Sequence, residues 1–427
     1  MSEWKEIKID QLCEAIIDCV NKTAPIVDEI TPYRMIRTTN VKDGRIDLSS
    51  TNYVTEDVFR KWTRRSTLQK GDIILTREAP LGEVGKIIDG GNLFLGQRLM
   101  MYRPDPDIVD PDFLFYAFLS KEIQYQIKSF GMGSTVEHMR VGDCSEIIFK
   151  VPSLQEQREI GKTLSILDRK IENLRKQNET LERIAQTLFK HWFVDFEFPN
   201  EDGKPYKSSG GEMVRSELGE IPAGWRVGKL GDFCNIKHGY AFSGEFITTE
   251  ETNQILLTPG NFRIGGGFNS SKYKYYSDYD YDEEYILTPG DLIVTMTDLS
   301  KEGDTLGYPA FVPKYSKNIF LHNQRLGKVV DSRIDLFFLF FLLCRREYRS
   351  HILGTASGST VRHTSPSRIL EYKFADPARE LLDRFSLTAS NLICKSFSNH
   401  AQIETLAKTR DMLLPKLMSG KLRITAS

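Results

Sequence analysis

The chain has 427 residues, 40% of them hydrophobic, which is enough for about three domains of ordinary size. Its 57 lysines and arginines balance 58 acidic residues, so the net charge of -1 excludes an overall attraction to nucleic acid or anionic membrane, and any basic surface must be local. The longest apolar run, Leu336 to Cys344, has nine residues and is too short to cross a bilayer. The first residues lack a signal-peptide pattern, so we expect a cytoplasmic protein.

The sequence consists of two similar halves. Trp4 corresponds to Trp225 and Asn40 to Asn261, both at an offset of 221 residues. Three motif pairs follow in the same order at offsets of 219, 227 and 225: LQKGDIILT with LTPGDLIVT, GQRL with NQRL, and GSTVEH with GSTVRH. Matches in one order at a nearly constant offset predict two copies of one fold that differ by small loop insertions.

Each copy is predicted to combine short strands with buried helices. GDIILT and GDLIVT are apolar strands that begin at Gly-Asp turns, and NLFLGQRLMMYRP is typical of a strand, a turn and a second strand. The apolar stretches 110–130 and 335–353 predict helices. The fold class of each copy is therefore α+β.

A heptad pattern of apolar residues follows each copy, with the alternating spacing of four and three that is typical of a coiled coil. The first seam consists of Ile160, Leu164, Leu167, Ile171, Leu174, Asn178, Leu181, Ala185 and Leu188. The offset of 225 gives a second seam with more polar members, namely Phe385, Ala389, Leu392, Ser396, Asn399, Ile403, Leu406, Arg410 and Leu413.

We predict that these two helices pair with each other as an antiparallel coiled coil that joins the two globular copies. The alternative is two separate amphipathic core helices. Asn178 is the one polar residue of the first seam, and a single Asn in that position usually fixes the register of a specific partner helix.

These patterns divide the chain into five segments. The predicted segments are a first globular domain at 1–153, a central helix at 154–197, an exposed linker rich in Gly, Pro, Ser and charge at 198–217, a second globular domain at 218–378, and a C-terminal helix and tail at 379–427.

Motifs for self-contained catalysis are missing from the sequence. It has no GxxxxGK[ST] phosphate loop, no HExxH or GxSxG motif, and no Pro-Pro pair such as adenine methyltransferases use around a flipped base. The six cysteines form no CxxC pair, so neither a zinc site nor a disulfide framework is indicated. We therefore predict no catalytic residue and no metal ligand.

Local basic clusters depart from the neutral average in the first copy. The segment 59–70 includes Arg64 and Arg65 and has no acidic residue, and the segment 33–45 includes Arg34 and Arg37. Such clusters can contact phosphates or base edges, although a solvated helix face has the same composition.

A tyrosine-rich segment distinguishes the second copy. Residues 270–285 contain six tyrosines beside Lys272 and Lys274. This composition predicts either a surface that contacts nucleic acid or protein, or a half-buried helix whose aromatic rings pack inward.

The duplication separates shared residues from residues that differ. If the copies read different sequences, shared motifs should maintain the fold or contact phosphate, and base-reading side chains should differ. We predict turns at Gly71-Asp72 and Gly290-Asp291. Gln97-Arg98 and Gln324-Arg325 fit either structural hydrogen bonds or DNA contacts, and Ser134-Thr135 and Ser359-Thr360 fit either capping or phosphate binding.

The best candidates for base reading flank the shared motifs. Arg77-Glu78 corresponds to Met296-Thr297, and Glu137 corresponds to Arg362; Arg donates to guanine and Glu accepts from cytosine. The complete set of candidate DNA-contacting residues is Arg34, Arg37, Arg64, Arg65, Arg77, Glu78, Gln97, Arg98, Thr135, Glu137, Lys272, Lys274, Met296, Thr297, Gln324, Arg325, Thr360 and Arg362.

Taken together, these motifs resemble the specificity (S) subunits of type I restriction–modification systems. The matching features are Trp4 and Trp225, the strand, Gln-Arg and GSTV motifs of both copies, VPSLQEQREIGKTLSILDRKIENL and TLFKHWFVDFEF in the first helix, and LLPKLMSGKLRI near the C-terminus. They cover nearly the whole chain. The second helix departs from the pattern, because FADPARELLDRF lacks the Gln-Glu-Gln run of the first.

The resemblance implies a division of labour. Two target-recognition domains, joined by an antiparallel helix pair, would each read one half of a bipartite, asymmetric site in double-stranded DNA. Two methyltransferase subunits and two restriction subunits would assemble around them. The S subunit would carry no catalytic site and no cofactor of its own, since S-adenosylmethionine, ATP and Mg²⁺ belong to the partner subunits.

Two other functions fit the same sequence. The chain could be the specificity subunit of a related restriction–modification enzyme that does not translocate DNA, or a helical scaffold protein that does not bind DNA. The neutral overall charge is compatible with the scaffold.

Overall fold

A computed structural model describes residues 4–131, 137–314 and 318–424, which form two compact units. Unit 1 comprises residues 1–172 and 404–427, and unit 2 comprises residues 173–403.

Unit 1 combines short strands with three short helices and parts of two long ones. Its strands are β1 (Lys5–Lys8), β2 (Cys13–Asp18), β3 (Arg34–Ile36), β4 (Val41–Lys42), β5 (Arg45–Ile46), β6 (Asn52–Tyr53), β7 (Ile73–Arg77), β8 (Leu81–Lys86), β9 (Leu93–Leu95), β10 (Leu99–Pro104) and β11 (Ile148–Val151). Its helices are α1 (Glu56–Trp62), α2 (Pro111–Phe118), α3 (Lys121–Gly131), the first half of α4 (Leu154–Phe193) and the last part, from residue 404, of the C-terminal helix α8 (Arg379–Met418).

A four-stranded antiparallel sheet in the order β2-β10-β7-β8 lies at the centre of unit 1. Ile73 and Leu75 of β7 face one apolar cluster, together with the aromatic residues of α2, while Ile74 faces a second cluster. Because both faces of the sheet are covered, its central strand is apolar at successive positions. A second sheet, β6-β3-β9, contains the parallel pair β3-β9.

The predicted helix at 110–130 is two helices, α2 and α3. Asp110 caps α2, since its Oδ1 accepts a hydrogen bond from the backbone N–H of Phe113 at 2.9 Å. The Ser120 hydroxyl accepts from the backbone N–H of Ile123 at 3.4 Å and so begins α3. The corresponding stretch of the second copy is also divided in two.

Unit 2 contains the second copy. Its strands are β12 (Met213–Ser216), β13 (Gly219–Pro222), β14 (Arg226–Lys229), β15 (Asn235–His238), β16 (Ile247–Thr248), β17 (Gln254–Leu257), β18 (Tyr275–Tyr276), β19 (Ile286–Leu287), β20 (Leu292–Thr295), β21 (Thr297–Asp298), β22 (Pro309–Phe311), β23 (Ile319–His322), β24 (Leu326–Val330), β25 (Arg362–His363) and β26 (Lys373–Asp376). Its helices are α5 (Leu336–Leu343), α6 (Arg346–Thr355), α7 (Pro366–Leu370), the second half of α4 and most of α8 (Arg379–Met418).

The sheet topologies of the two units confirm the duplication. The order β15-β24-β20-β22 in unit 2 corresponds to β2-β10-β7-β8 in unit 1, and the pair β14-β26 corresponds to β1-β11. The parallel pair β17-β23 corresponds to β3-β9. The predicted α+β class and tandem arrangement are therefore correct.

The antiparallel pairing of the long helices is visible within each unit. In unit 1, Asp168 accepts a hydrogen bond from Arg410 at 2.8 Å, and Glu156 accepts one from Arg423 at 3.3 Å. A residue earlier in α4 thus meets a residue later in the C-terminal segment. In unit 2, Asn399 of α8 donates to Asn178 of α4 at 2.9 Å. Two separate core helices, the alternative interpretation, do not describe this arrangement.

Most predicted seam residues are buried. The buried ones are Ile160, Leu164, Ile171, Leu174, Asn178, Ala185, Phe385, Ala389, Ser396, Asn399 and Ile403. The half-buried ones are Leu167, Leu181, Leu188, Leu392, Leu406, Arg410 and Leu413. Near the end of α4 the buried side chains are Phe189 and Phe193 rather than Leu188, because they pack against Phe338 of α5 as well as Phe385 of α8.

Part of the segment predicted as an exposed linker, 198–217, is packed. The ring of Phe198 stacks on those of Tyr206 and Trp225, with centroids 4.6 and 5.4 Å apart, and residues 213–216 form strand β12 of a hairpin. Most other side chains of the segment are exposed.

In the described ranges, no helix combines the length and apolar character needed to cross a membrane.

Candidate nucleic-acid interface

The Gly-Asp motifs form the predicted turns, and their aspartates are anchored. Gly71 and Gly290 have φ values of 96° and 94°, which glycine adopts without a steric penalty. Asp72 accepts from the backbone N–H of Gln69 at 2.7 Å and pairs with Arg103 at 2.7 Å. In unit 2, Asp291 pairs with Lys328 at 2.7 Å. These motifs stabilise the fold and are not free to contact a ligand.

Three motifs that are distant in sequence meet at one end of the central sheet of unit 1. Arg77 ends β7, and its backbone N–H donates to the carbonyl of Arg98, just before β10, at 2.8 Å. The backbone N–H of Met139 donates to the carbonyl of Arg77 at 2.9 Å, and the Arg77 guanidinium donates to the carbonyl of Met139 at 3.1 Å. We call this end of the sheet, at residues 77–78, 97–98 and 137–139, edge 1.

Exposed charged side chains project from edge 1. Arg98 lies 3.5 Å from Glu78 and is 53% exposed, and its φ of 67° places it in the left-handed region, which is uncommon for a side chain of this size. Gln97 accepts a hydrogen bond from Thr23 at 3.3 Å. Glu137 is exposed, whereas Thr135 lies outside the described residues. Edge 1 thus presents both cationic and anionic groups to solvent.

Unit 2 builds the same edge from the equivalent motifs. The backbone N–H of Met296 donates to the carbonyl of Arg325 at 2.8 Å, and that of Thr364 donates to the carbonyl of Met296 at 3.0 Å. Strands β21 and β25 then pair, with Asp298 opposite Arg362. Gln324, Arg325 and Thr360 are exposed. We call residues 296–298, 324–325 and 360–364 edge 2.

Two predicted residues of edge 2 do not fit their role. Met296 is 2% exposed and lies in the main apolar cluster of unit 2, and Thr297 is 6% exposed and contacts Nδ1 of His363 at 3.1 Å. Neither side chain can reach a base from this position. Arg362 remains partly exposed, and its Nε donates to the carbonyl of Lys301 at 3.1 Å.

A longer loop explains the burial of Met296. Leu75 of β7 pairs with Val84 nine residues later, whereas Val294 of β20 pairs with Pro309 fifteen residues later. Leu306 of this longer loop is fully buried in the same cluster as Met296. The residue equivalent to Arg77 is therefore covered by a loop that the first copy lacks.

Asp298 organises the longer loop. One carboxylate oxygen accepts from the backbone N–H of Ser300 at 2.7 Å, and the other accepts from the Thr305 hydroxyl at 2.6 Å. Burial works to raise the pKa of Asp298, but the hydrogen bonds from Thr305 and Ser300 outweigh it, so the pKa lies below its ordinary value. Asp298 is therefore ionised at neutral pH, and its carboxylate stabilises the loop through the hydrogen bonds from Ser300 and Thr305.

Two basic residues of segment 33–45, Arg34 and Arg37, contact backbone carbonyls and so stabilise the fold. Arg37 donates to the carbonyl of Ser50 at 2.7 Å, and Arg34 lies 3.5 Å from the carbonyl of Leu48. In segment 59–70, Arg64 donates to the carbonyl of Lys61 at 3.2 Å, and Arg65 pairs with Asp18. Only the latter two arginines are well exposed, so they are the better candidates for DNA contact.

The tyrosine-rich segment of unit 2 forms short strands and single turns, so its interpretation as a helix was wrong. Tyr276 is buried and Tyr279 is exposed, while Lys272 and Lys274 point into solvent. The other tyrosines of the segment are mostly half-buried.

Sequence reasoning missed Tyr240, which is 46% exposed beside edge 2. Its backbone carbonyl accepts from the N–H of Gln324 at 2.8 Å, and its ring contacts those of Phe242 and Tyr285. An exposed ring of this kind can stack on a base or sugar. The available signal was an aromatic pair, Tyr240 and Phe242, in the glycine-flanked segment HGYAFSG.

The chain thus belongs to a class of proteins in which one α+β domain occurs twice, each copy followed by one helix of an antiparallel pair. In the part of the chain that the structure describes, no group of acidic, His or Cys side chains could hold a metal ion.

Comparison with known proteins identifies the family. The family model for the type I restriction modification DNA specificity domain matches residues 1–183. The type I restriction enzyme MjaIX specificity subunit of Methanocaldococcus jannaschii is 30% identical over 383 residues, which cover 87% of this chain and 82% of that protein. The HindI specificity subunit of Haemophilus influenzae is 24% identical over 426 residues, with coverage of 84% and 88%.

A solved structure shows a similar fold. The S subunit of a type I restriction–modification system from M. genitalium has a TM-score of 0.55 and 18% identity to this chain, with coverage of 99% and 97%. The similarity extends over both copies and both helices. The chain belongs to the family of type I restriction–modification specificity subunits.

Proposed function

We propose that the chain reads a bipartite, asymmetric DNA site, with one half-site recognised at edge 1 and the other at edge 2. The observation that carries this proposal is that the same edge is built twice on equivalent strands with different exposed side chains. Edge 1 presents Glu78 and Glu137, whereas edge 2 presents Arg362 and a longer loop. A DNA reader that used both edges would read two different sequences.

The shared and the differing residues are assigned different tasks. The Gln-Arg turns, Gln97-Arg98 and Gln324-Arg325, are common to both edges and exposed at Arg98 and Arg325, so we assign them to the DNA backbone. Glu137 and Arg362 occupy equivalent positions with opposite charge, so we assign them to base edges, where Glu accepts from cytosine and Arg donates to guanine.

Catalysis in this proposal belongs to partner subunits. The chain would recruit adenine methyltransferase subunits, which bind S-adenosylmethionine, and restriction subunits, which use ATP and Mg²⁺ to translocate DNA. The helix pair would act as a ruler that holds the half-sites about one helical turn, or about 34–36 Å, apart.

Single-molecule methylation sequencing tests the proposal. The chain is expressed with its methyltransferase in a host that lacks both, and methylated adenines should appear in one split motif. Arg98→Ala should weaken methylation at all sites because it removes a phosphate contact, and Arg325→Ala should act similarly. Arg215→Ala, on the exposed hairpin β12-β13, is the matched control and should leave methylation unchanged.

The scaffold alternative predicts a different result. In that case the chain would give no motif, and the variant R64A/R65A/R98A would bind DNA as the wild type does. The logarithm of the DNA-binding constant falls linearly with the logarithm of the salt concentration. Under our proposal, each lost phosphate contact makes this negative slope less steep by about 0.9. Equal slopes for this variant and the wild type, with both proteins folded, would refute phosphate contacts by Arg64, Arg65 and Arg98.

A further inference from the structure

The two long helices are equivalent position by position. Helix α4 runs from residue 154 to 193 and α8 from 379 to 418, so both ends differ by 225 (379 - 154 and 418 - 193). For every pair of positions that face each other in α4 and α8, this offset defines an equivalent pair, in which each residue is replaced by its counterpart from the other helix. Any difference between two such contacts breaks the symmetry of the helix pair.

The first difference is an ion pair in unit 1. Asp168 accepts from Arg410 at 2.8 Å through one oxygen and from the Tyr116 hydroxyl at 2.6 Å through the other. The equivalent positions are 168 + 225 and 410 - 225, which are Ile393 and Ala185 in unit 2, and both are buried. A charged layer in unit 1 thus has an apolar counterpart in unit 2.

The second difference is a pair of amides in unit 2. Asn399 donates to the amide oxygen of Asn178 at 2.9 Å, and both side chains are buried. The equivalent positions, 178 + 225 and 399 - 225, hold Ile403 and Leu174, which are buried apolar residues. In each polar layer, a residue of one helix thus forms a hydrogen bond with a particular residue of the other helix.

We propose that these two polar pairs are positioning residues that decide which helix pairs with which. If α4 met the α4 of a second copy in the same geometry, Asp168 would face Ala185 and Asn178 would face Leu174. If α8 met a second α8, Arg410 would face Ile393 and Asn399 would face Ile403. Each such pairing doubles these polar groups and removes the partner on the opposite helix. Pairing of α4 with α8, in contrast, supplies the Asn399–Asn178 hydrogen bond and the Arg410–Asp168 ion pair.

General energetics support this assignment. A buried polar pair contributes little net stability, but removal of one partner is strongly unfavourable because a desolvated group remains unpaired. A single buried Asn is known to specify the partner and register of a coiled coil at some cost in stability. Apolar layers at all positions would bind better and discriminate less.

The choice between α8 of the same chain and α4 of another chain matters most during synthesis, before α8 exists. Residue 193, at the end of α4, is synthesised 225 residues before residue 418, at the end of α8 (418 - 193). During this interval the seam of α4 lacks its partner and can meet the α4 of another nascent chain. Asp168 and Asn178 oppose that pairing. The inference concerns pairing of the chain with itself and does not depend on DNA recognition.

Co-expression of two differently tagged full-length chains tests the inference. In the variant D168I/R410A/Y116F/N178I/N399L, both polar layers are replaced by the residues of their apolar counterparts, and the Tyr116 hydroxyl that would lose its acceptor is removed. We expect the two tags to co-purify several-fold more than in the wild type, with a species of twice the chain mass by light scattering. N178I/N399L alone should raise both thermal stability and co-purification.

The matched control adds L174N/I403N to the five-residue variant, which moves the amide pair to the equivalent layer. Co-purification should then fall toward the wild-type level, because the helix pair is asymmetric again. Co-purification of the folded N178I/N399L variant at the wild-type level would overturn the inference. An added amide pair that fails to reduce co-purification would also overturn it.

Discussion

The two globular domains share the strand order of the central sheet, and they differ where that sheet ends. Strand β7 of unit 1 returns to β8 through a tight turn, whereas β20 of unit 2 continues into a loop that buries Leu306 and is held by Asp298. The strand order is the same on both sides of this difference. The comparison teaches that the sheet fixes where the equivalent motifs meet, while the connection at its end determines which side chains are exposed there.

The two domains also differ in the side chains that attach them to the long helices. Substitutions at these side chains should have the largest effect on the free energy of unfolding. Phe385 of α8 is fully buried, and its ring contacts Phe189, Phe193 and Phe341. Its equivalent in α4, at 385 - 225, is Ile160, which is buried in the apolar cluster of unit 1.

Phe385→Ala should lower the free energy of unfolding by about 3–5 kcal/mol, because a large cavity opens within an aromatic cluster. Ile160→Val, which removes a single methyl group at the equivalent site, should cost about 0.5–1.5 kcal/mol. Calorimetry of both variants measures the two effects. Equal losses would mean that the aromatic cluster carries no special share of the stability of unit 2.

A buried histidine is present in only one of the two parallel strand pairs. It should give the next largest effect, a dependence of the stability on pH. His322 of β23 pairs with Leu257, and its equivalent in β9, at 322 - 227, is Leu95. Burial lowers the pKa of His322 from 6.5 to about 4, although its ring contacts the carbonyl of Leu326 at 3.0 Å. Between about pH 4 and pH 6.5, the ring is therefore neutral in the folded protein but protonated in the unfolded chain.

The pH dependence follows from this difference. Because the pKa is lower in the folded state, the stability that His322 contributes is complete above about pH 6.5 and is lost as the pH falls toward 4. Between pH 7 and pH 5 the loss should be about 2 kcal/mol. His322→Leu should remove this part of the acid sensitivity, and Leu95→His should introduce a similar one into unit 1; thermal melts at both pH values measure it. An unchanged pH slope in His322→Leu would contradict this account.

Much of the fold could be predicted from the sequence because it depends on local periodicity. Strands β7 and β20, the Gly-Asp turns and the two long helices follow from patterns that neighbouring residues determine. The partners of Arg410 and Asn399 could not be predicted, since a heptad pattern reveals that a polar residue lies on the seam but not which residue of the other helix faces it.

The interface was predicted less well, for a related reason. The alignment placed Met296 opposite Arg77, but a sequence offset cannot show that a loop insertion folds back over one copy and not the other. Tyr240 was missed because its exposure depends on the neighbouring Gln-Arg turn, which is distant in sequence. The equivalent positions Glu137 and Arg362, in contrast, lie beyond this insertion and both remain accessible.

Exchange of these two residues tests the comparison most directly, because its effect should be on binding to one half-site and not on folding. Under the proposed function, Glu137→Arg should change one base preference in the half-site assigned to edge 1, and Arg362→Glu should change one in the half-site assigned to edge 2. Each mismatch with the former target should cost about 1–3 kcal/mol of binding free energy, with the opposite half unaffected. Methylation sequencing of both variants reads out each half separately. A variant that altered both halves, or neither while remaining folded and active, would show that these positions do not divide recognition between the two edges.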